Sequence, residues 1–155
     1  MIQLFLRMEQ RKSFRRFEGR EEANLILGTD LLEHPEKAEG ANNIVIVGGG
    51  VVGCETAHWL ANEYGKNVTV LEMLPHFMMG VCTANRGHLL HYLEKLGVRL
   101  YNCTKVKALA KDGVYVEQNQ SQTVPDPYNT WQPLLPPNIP NPMEKAIKEE
   151  IVEKK

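Results

Sequence analysis

Two features of the chain are spaced for chemistry: the run Gly48-Gly49-Gly50-Val51-Val52-Gly53, and the carboxylate of Glu72, 24 positions after Gly48. The run satisfies G-x-G-x-x-G, the spacing of a turn that accepts the pyrophosphate of a dinucleotide. Each motif glycine has its own mechanical role. Gly48 permits the tight exit from a strand, Gly50 removes a side chain where the pyrophosphate lies, and Gly53 lets the next helix pack closely on the strand. That helix turns its unpaired N–H groups and positive end toward the phosphates. An acid at the position of Glu72 accepts the adenosine ribose hydroxyls. The bland alternative is a packing turn with an unrelated surface glutamate.

The surrounding elements arrive in the order such a site needs. Ile44-Val45-Ile46-Val47 reads as a strand buried on both faces. Residues 51–64 carry Gly53, Ala57, Leu60, Ala61 and Tyr64 at helical spacing, with Gly65 as a C-terminal cap. Val68-Thr69-Val70-Leu71 is a second strand, ending in Glu72. A loop with three methionines covers Met73–Val81. A helix then runs from about Thr83 to Leu96, with Leu89, Leu90, Leu93 and Leu96 as its buried stripe and Arg86, His88 and Glu94 off it. Val98-Arg99-Leu100-Tyr101 is the third strand, so the order is β-α-β-α-β, half a doubly wound sheet.

Four stretches lie outside that unit. Residues 1–23 show no periodicity and read as an irregular lead-in. Asn24–Glu33 reads as a short strand, a turn and a short helix capped by Thr29 or Asp30 and ended by His34-Pro35. Thr104–Leu109 and Val114–Glu117, joined by Lys111-Asp112-Gly113, form a hairpin. Seven of the nine prolines fall between Pro125 and Pro142, which predicts an extended loop over 119–142. Met143–Lys155 balances four Lys against four Glu and reads as a surface helix. The predicted organisation is a lead-in over 1–23, a Rossmann-like dinucleotide-binding domain over 24–118, the proline-rich loop, and a helix over 143–155.

Composition narrows the function. A length of 155 residues, 43% hydrophobic and 24% charged, suits one globular domain. A net charge of −1 gives no argument for nucleic acid or a membrane surface. No apolar run reaches the roughly 18 residues of a membrane span, so a cytoplasmic protein is expected. Cys54, Cys82 and Cys103 form no zinc or iron–sulfur pattern. Cys54, on the first turn of the dinucleotide helix, reads as a small buried filler rather than an activated thiol. His88 and His91 are three apart, but no acid or thiol completes a metal site.

Several segments together carry a family resemblance. They are Ile26-Leu27-Gly28-Thr29-Asp30-Leu31-Leu32, the glycine turn with Cys54-Glu55-Thr56-Ala57, Val70-Leu71-Glu72-Met73-Leu74-Pro75, and Ala84-Asn85-Arg86 leading to Leu93-Glu94-Lys95-Leu96-Gly97-Val98 and Thr104-Lys105-Val106. Over residues 24–118 the chain resembles the pyridine-nucleotide domain of the NADH:flavin oxidoreductases that include 2-enoate reductase and 2,4-dienoyl-CoA reductase. Pro125-Asp126-Pro127-Tyr128-Asn129-Thr130-Trp131 resembles the enoate reductase branch.

The resemblance implies an NAD(H)-binding domain that presents NADH for hydride transfer to FAD within a larger modular enzyme. The partners it implies are an FAD-binding module and a flavin-bearing barrel; FMN and an iron–sulfur cluster belong to that parent enzyme. The implied cofactor-binding residues are Gly48, Gly49, Gly50, Val51, Val52, Gly53, Glu55, Glu72 and Met73, with Glu55 toward the nicotinamide end. No catalytic residue and no metal ligand is assigned, because hydride transfer belongs to the cofactors. The chain departs from the family in lacking a second glycine fingerprint and a cysteine cluster, and the strand that closes the family's NAD domain would begin past Lys155. The expectation is a sheet incomplete beside the site and a chain that is not catalytically competent alone. Two other readings stay open: a non-catalytic or degenerate NAD-binding fragment, and a turn that binds FAD rather than NAD.

Overall fold

The computed structural model describes residues 3–7, 18–19, 23–129 and 151–154. Its centre is a parallel five-stranded sheet in the order β2-β1-β3-β4-β5. The strands are β1 (Gln3–Arg7), β2 (Leu25–Leu27), β3 (Asn43–Val47), β4 (Asn67–Leu71) and β5 (Arg99–Tyr101). The expected unit is present: β3 leads through α2 (Val51–Tyr64) to β4, and β4 through α3 (Thr83–Lys95) to β5. This is the α/β, Rossmann-like arrangement of parallel strands with helical crossovers.

Alternation along β3 explains its central position. Ile44 and Ile46 are buried on the face that packs α2 and α3, together with Cys54, Ala57, Leu60, Leu90 and Leu93. Val45 and Val47 point to the other face, against Leu71, Val106, Leu109, Val114 and Val116. The second face is thus covered by a hairpin rather than a helix. The hairpin consists of β6 (Thr104–Leu109) and β7 (Val114–Asn119), antiparallel as expected and slightly longer.

Both ends of the chain depart from expectation. Gln3–Arg7 is a strand, not part of an irregular lead-in, and pairs with β2 on one side and β3 on the other. Five residues are too few to show a period. What fixes them is a ladder to β3 in which Leu4 is opposite Ile44 and Leu6 opposite Ile46. β3 therefore has parallel neighbours on both sides, β1 and β4. At the other end, Ile151–Lys154 is a strand, β8, antiparallel to β7, where a helix was expected. The alternating charges suit a helix locally, but Ile151 and Val152 are β-branched and pairing with β7 decides the outcome. The remainder of 143–155 and of the proline-rich loop lies outside the described residues.

Smaller departures concern helix ends. The short helix α1 (Gly28–Glu33) starts directly after β2; its N-cap is Leu27, with no side-chain cap from Thr29 or Asp30. Tyr64, at helical spacing with Ala57 and Leu60, is 42% exposed and packs edge-on against Trp59. Gly65 caps α2 in the left-handed region (φ 61°), as the spacing predicts. The described part of the proline-rich loop runs along the edge of β5. There the Tyr128 hydroxyl donates to the Val98 carbonyl (2.8 Å) and accepts from the Leu100 N–H (3.0 Å).

Candidate functional site

β3 and β4 end side by side and deliver the glycine turn and Glu72 to the same place. Gly48 continues the ladder one residue past β3, its N–H donating to the Leu71 carbonyl at 2.9 Å. Its φ of 114° lies where only glycine is at ease. A side chain at Gly53 would collide with the Gly48 carbonyl oxygen, so α2 rests directly on the turn. A Cβ on Gly50, the N-cap of α2, would meet nothing within 4 Å. The first and third motif glycines are thus needed by the fold, while the second leaves a space that the fold does not use.

Glu72 completes the site. Its Oε2 accepts the Gly49 N–H at 2.7 Å and its Oε1 accepts the Leu74 N–H at 2.9 Å. A carboxylate offers about four lone-pair sites on its two oxygens, so two backbone bonds leave capacity for hydroxyl donors. Gly48, Gly50, Val51, Val52, Gly53, Glu72, Met73 and Leu74 line one groove of about 350 Å³. That volume lies in the range of small-ligand clefts. Val52, Met73 and Leu74 leave apolar surface at its rim, at 52%, 65% and 45% exposure.

Of the nine predicted residues, seven line this groove. Gly49 stands just behind it, where a side chain would overlap the Phe77 ring and come within 2.8 Å of Glu72 Cβ. The G-x-G-x-x-G rule leaves this position open; here Phe77 requires glycine. Glu55 is not in the groove. It is exposed on α2 and lines a larger groove of about 940 Å³ between α2 and α3, beside His58 and Tyr92. Val51 borders both grooves.

Two buried polar side chains back the turn. Cys54 is fully buried, its thiol directed at the Gly49 carbonyl (3.6 Å). Burial, followed by the negative charge of Glu72, pushes its pKa up to about 12. It is a protonated filler, as its position suggested. Arg86 corrects the sequence reading. It is 1% exposed, on the same face of α3 as Leu90 and Leu93, which follow it at four and seven residues. The leucine stripe left it out, but its spacing to Leu90 and Leu93 places it inside. Burial pulls its pKa down from the usual arginine value. Arginine stays protonated in proteins, so the interior holds a cation. The imidazole of His88 packs edge-on against Tyr92 at 4.7 Å between centroids. Among the described residues, no group of three or more His, Cys, Asp or Glu is placed to hold a metal ion.

This strand, turn, helix, strand and acid also match a family model. The model for pyridine nucleotide-disulphide oxidoreductases aligns with residues 13–128, three quarters of the chain. The chain belongs to the pyridine nucleotide-disulphide oxidoreductase family. Members of this family use FAD and NAD(P)H. Among curated proteins, it is 35% identical over 85 residues to an NADH oxidase of Thermoanaerobacter brockii, covering 54% of this chain and 13% of that protein. It is 27% identical over 92 residues to a cinnamate reductase of Clostridium sporogenes, covering 57% and 14%. The chain thus spans about one seventh of the length of these relatives. A 2-naphthoyl-CoA reductase, solved with 2-naphthoyl-CoA, shares the fold at a TM-score of 0.60 and 24% identity, covering 74% of this chain and 17% of that one. Cys54, Cys82 and Cys103 form no disulfide with one another. Among the described residues, no helix is long and apolar enough to cross a membrane.

Proposed function

We propose that this chain is the NADH-binding domain, centred on residues 24–118, of a larger flavin-dependent reductase of the 2-enoate reductase type. The observation that carries the reading is the Gly49 N–H···Glu72 bond, which joins the phosphate turn to the ribose acid around one open groove. Gly48, Gly50, Val51, Val52 and Gly53 face the pyrophosphate, and the start of α2 supplies N–H groups and a positive dipole end. Glu72 accepts the ribose hydroxyls with its remaining lone pairs. Met73 and Leu74 give the adenine an apolar rim.

Val51, shared by both grooves, is the path by which the nicotinamide half extends toward Glu55. When bound, NADH supplies a hydride for FAD held by a neighbouring module. The protein's part is to bind and orient, and no residue of this chain handles a proton in the step. The cinnamate reductase relative and the enoate-like segments favour an α,β-unsaturated acid or thioester as the final acceptor. FAD, FMN and an iron–sulfur cluster belong to the parent enzyme's other modules, and the domain works in the cytoplasm. Titration of the purified chain with NADH and, separately, with FAD tests the assignment. Saturable NADH binding lost in Gly50→Val supports it. FAD binding with no NADH binding moves the site to the flavin role, and binding of neither makes this a non-catalytic fragment.

A further inference from the structure

The hydrogen-bond partners of Arg86 lead from α3 back to the glycine turn. Its Nε–H donates to the Phe77 carbonyl at 2.9 Å. The N–H of that same peptide unit, on Met78, donates to the Gly49 carbonyl at 2.8 Å. The Gly49 carbonyl in turn shares a planar unit with the Gly50 N–H. Among the described residues there is no cis peptide bond, so the carbonyl and N–H of each unit point in opposite directions. Fixing the Gly49 carbonyl on Met78 therefore fixes the Gly50 N–H away from Met78, at the start of α2.

We infer that Arg86 is a positioning residue for the nucleotide site, acting through the Phe77–Met78 and Gly49–Gly50 peptide units to aim the Gly50 N–H. The inference rests on the NADH reading proposed above. Two observations set it apart from ordinary packing. Met78 is a non-glycine residue at φ 52°, a left-handed conformation that persists only where its surroundings hold it. The clamp on both ends of its preceding peptide does so. Arg86 is also a poor choice for stability alone. It is almost fully buried, and its Nη1 has no protein partner among the described residues. An apolar side chain of similar volume commonly serves such a site at no cost in stability. What an apolar side chain cannot do is hold the Phe77 carbonyl.

Three variants separate the bond from charge and volume. Arg86→Met puts a methyl group where Nε stands. Arg86→Gln puts an amide nitrogen the same number of bonds from Cα, restoring a donor without the charge. Arg86→Lys keeps the charge but moves the donor one bond outward. NADH titration of the full chain is expected to show dissociation constants raised on the order of five- to thirty-fold in R86M and R86K. R86Q is expected to stay within about threefold of the parent on the same scale. In the protein without nucleotide, the Met78 and Gly50 amide resonances should shift in R86M and R86K and hold in R86Q. Parent-like affinity and resonances in folded R86M or R86K would overturn the inference, as would an R86Q that behaves like R86M. If R86M does not fold, R86K and R86Q carry the same comparison. A parent chain that fails to bind NADH overturns the site assignment instead, and the resonance shifts still decide whether Arg86 aims the Gly50 amide.

Discussion

Glu72 Oε2 lies 2.7 Å from the Gly49 amide nitrogen, so the acid that follows β4 is hydrogen-bonded to the turn that follows β3. Its other oxygen takes the Leu74 N–H. One carboxylate thus sets the spacing between the phosphate side and the ribose side of the groove. Its position is set in turn by backbone: the Glu72 N–H donates to Tyr101 and its carbonyl accepts from Thr104. Three segments distant in sequence, at residues 49, 72–74 and 101–104, meet at this residue.

NADH is expected to bind more tightly than NADPH. A 2′-phosphate would bring a second negative charge to Glu72, and between Glu72 and Arg86 the sequence offers no Lys or Arg to neutralise it. Arg86 itself is buried behind the turn. The expected preference is about 1–3 kcal/mol, roughly five- to 150-fold. Calorimetric titration with both cofactors measures it, and equal or tighter NADPH binding would refute the assignment of Glu72 to the ribose.

The glycines separate binding from folding. Gly50→Val places its new atoms where the structure has none within 4 Å of Cβ, so the melting temperature should move by only a few degrees while NADH binding is lost. Gly53→Ala drives a methyl group into the Gly48 carbonyl and should cost at least about 1–3 kcal/mol of stability. Thermal melts alongside NADH titration read both. If Gly50→Val binds NADH like the parent, the turn is merely structural.

These contrasts explain how much the sequence disclosed. The turn, α2, β4 and Glu72 are fixed by local spacing, and a single chain shows that spacing directly. Arg86 was set off the buried stripe, although Leu90 and Leu93, four and seven residues on, put residue 86 on the buried face. Phe77 was hidden for another reason. Nothing in a loop with a proline and three methionines shows which side chain will close on Gly49. β1 was missed because a strand of five residues takes its identity from a partner about 40 residues away, and that pairing leaves no local period.

Stability should fall at alkaline pH, and Cys54 should account for part of the loss. Its thiol is held in the protonated form, with a pKa of about 12 in the fold against an ordinary value of 9.0. The raised value favours the folded protein fully below about pH 9, and the advantage is lost as pH climbs toward 12. By pH 11 the loss attributable to this group is about 2–3 kcal/mol. Tyr128, also pushed up by burial, acts in the same direction. Urea melts from pH 8 to 11 on the parent and Cys54→Ala measure the difference. The variant starts less stable from lost packing but should show a flatter decline. Parallel declines would mean that Cys54 does not titrate against folding. At pH 8, a thiol reagent should label exposed Cys82 well before Cys54.

Tyr128 should guard the outer edge of the sheet. β5 is an edge strand, and edge strands with open N–H and C=O groups invite pairing with another chain. The Tyr128 hydroxyl occupies two of those groups at once, the Leu100 N–H and the Val98 carbonyl, at the positions a neighbouring strand would use. Tyr128→Phe keeps the ring and removes only the hydroxyl. The expected cost is about 1–2 kcal/mol of stability, with faster hydrogen exchange at the Leu100 amide. Because the edge groups are then open, sedimentation should also show self-association that grows with concentration and exceeds that of the parent. If Leu100 exchanges at the parent rate in Tyr128→Phe, the hydroxyl does not protect the edge, and the proline-rich segment is held against β5 by other contacts, such as the bond from Asn102 Nδ2 to the Pro125 carbonyl at 2.7 Å.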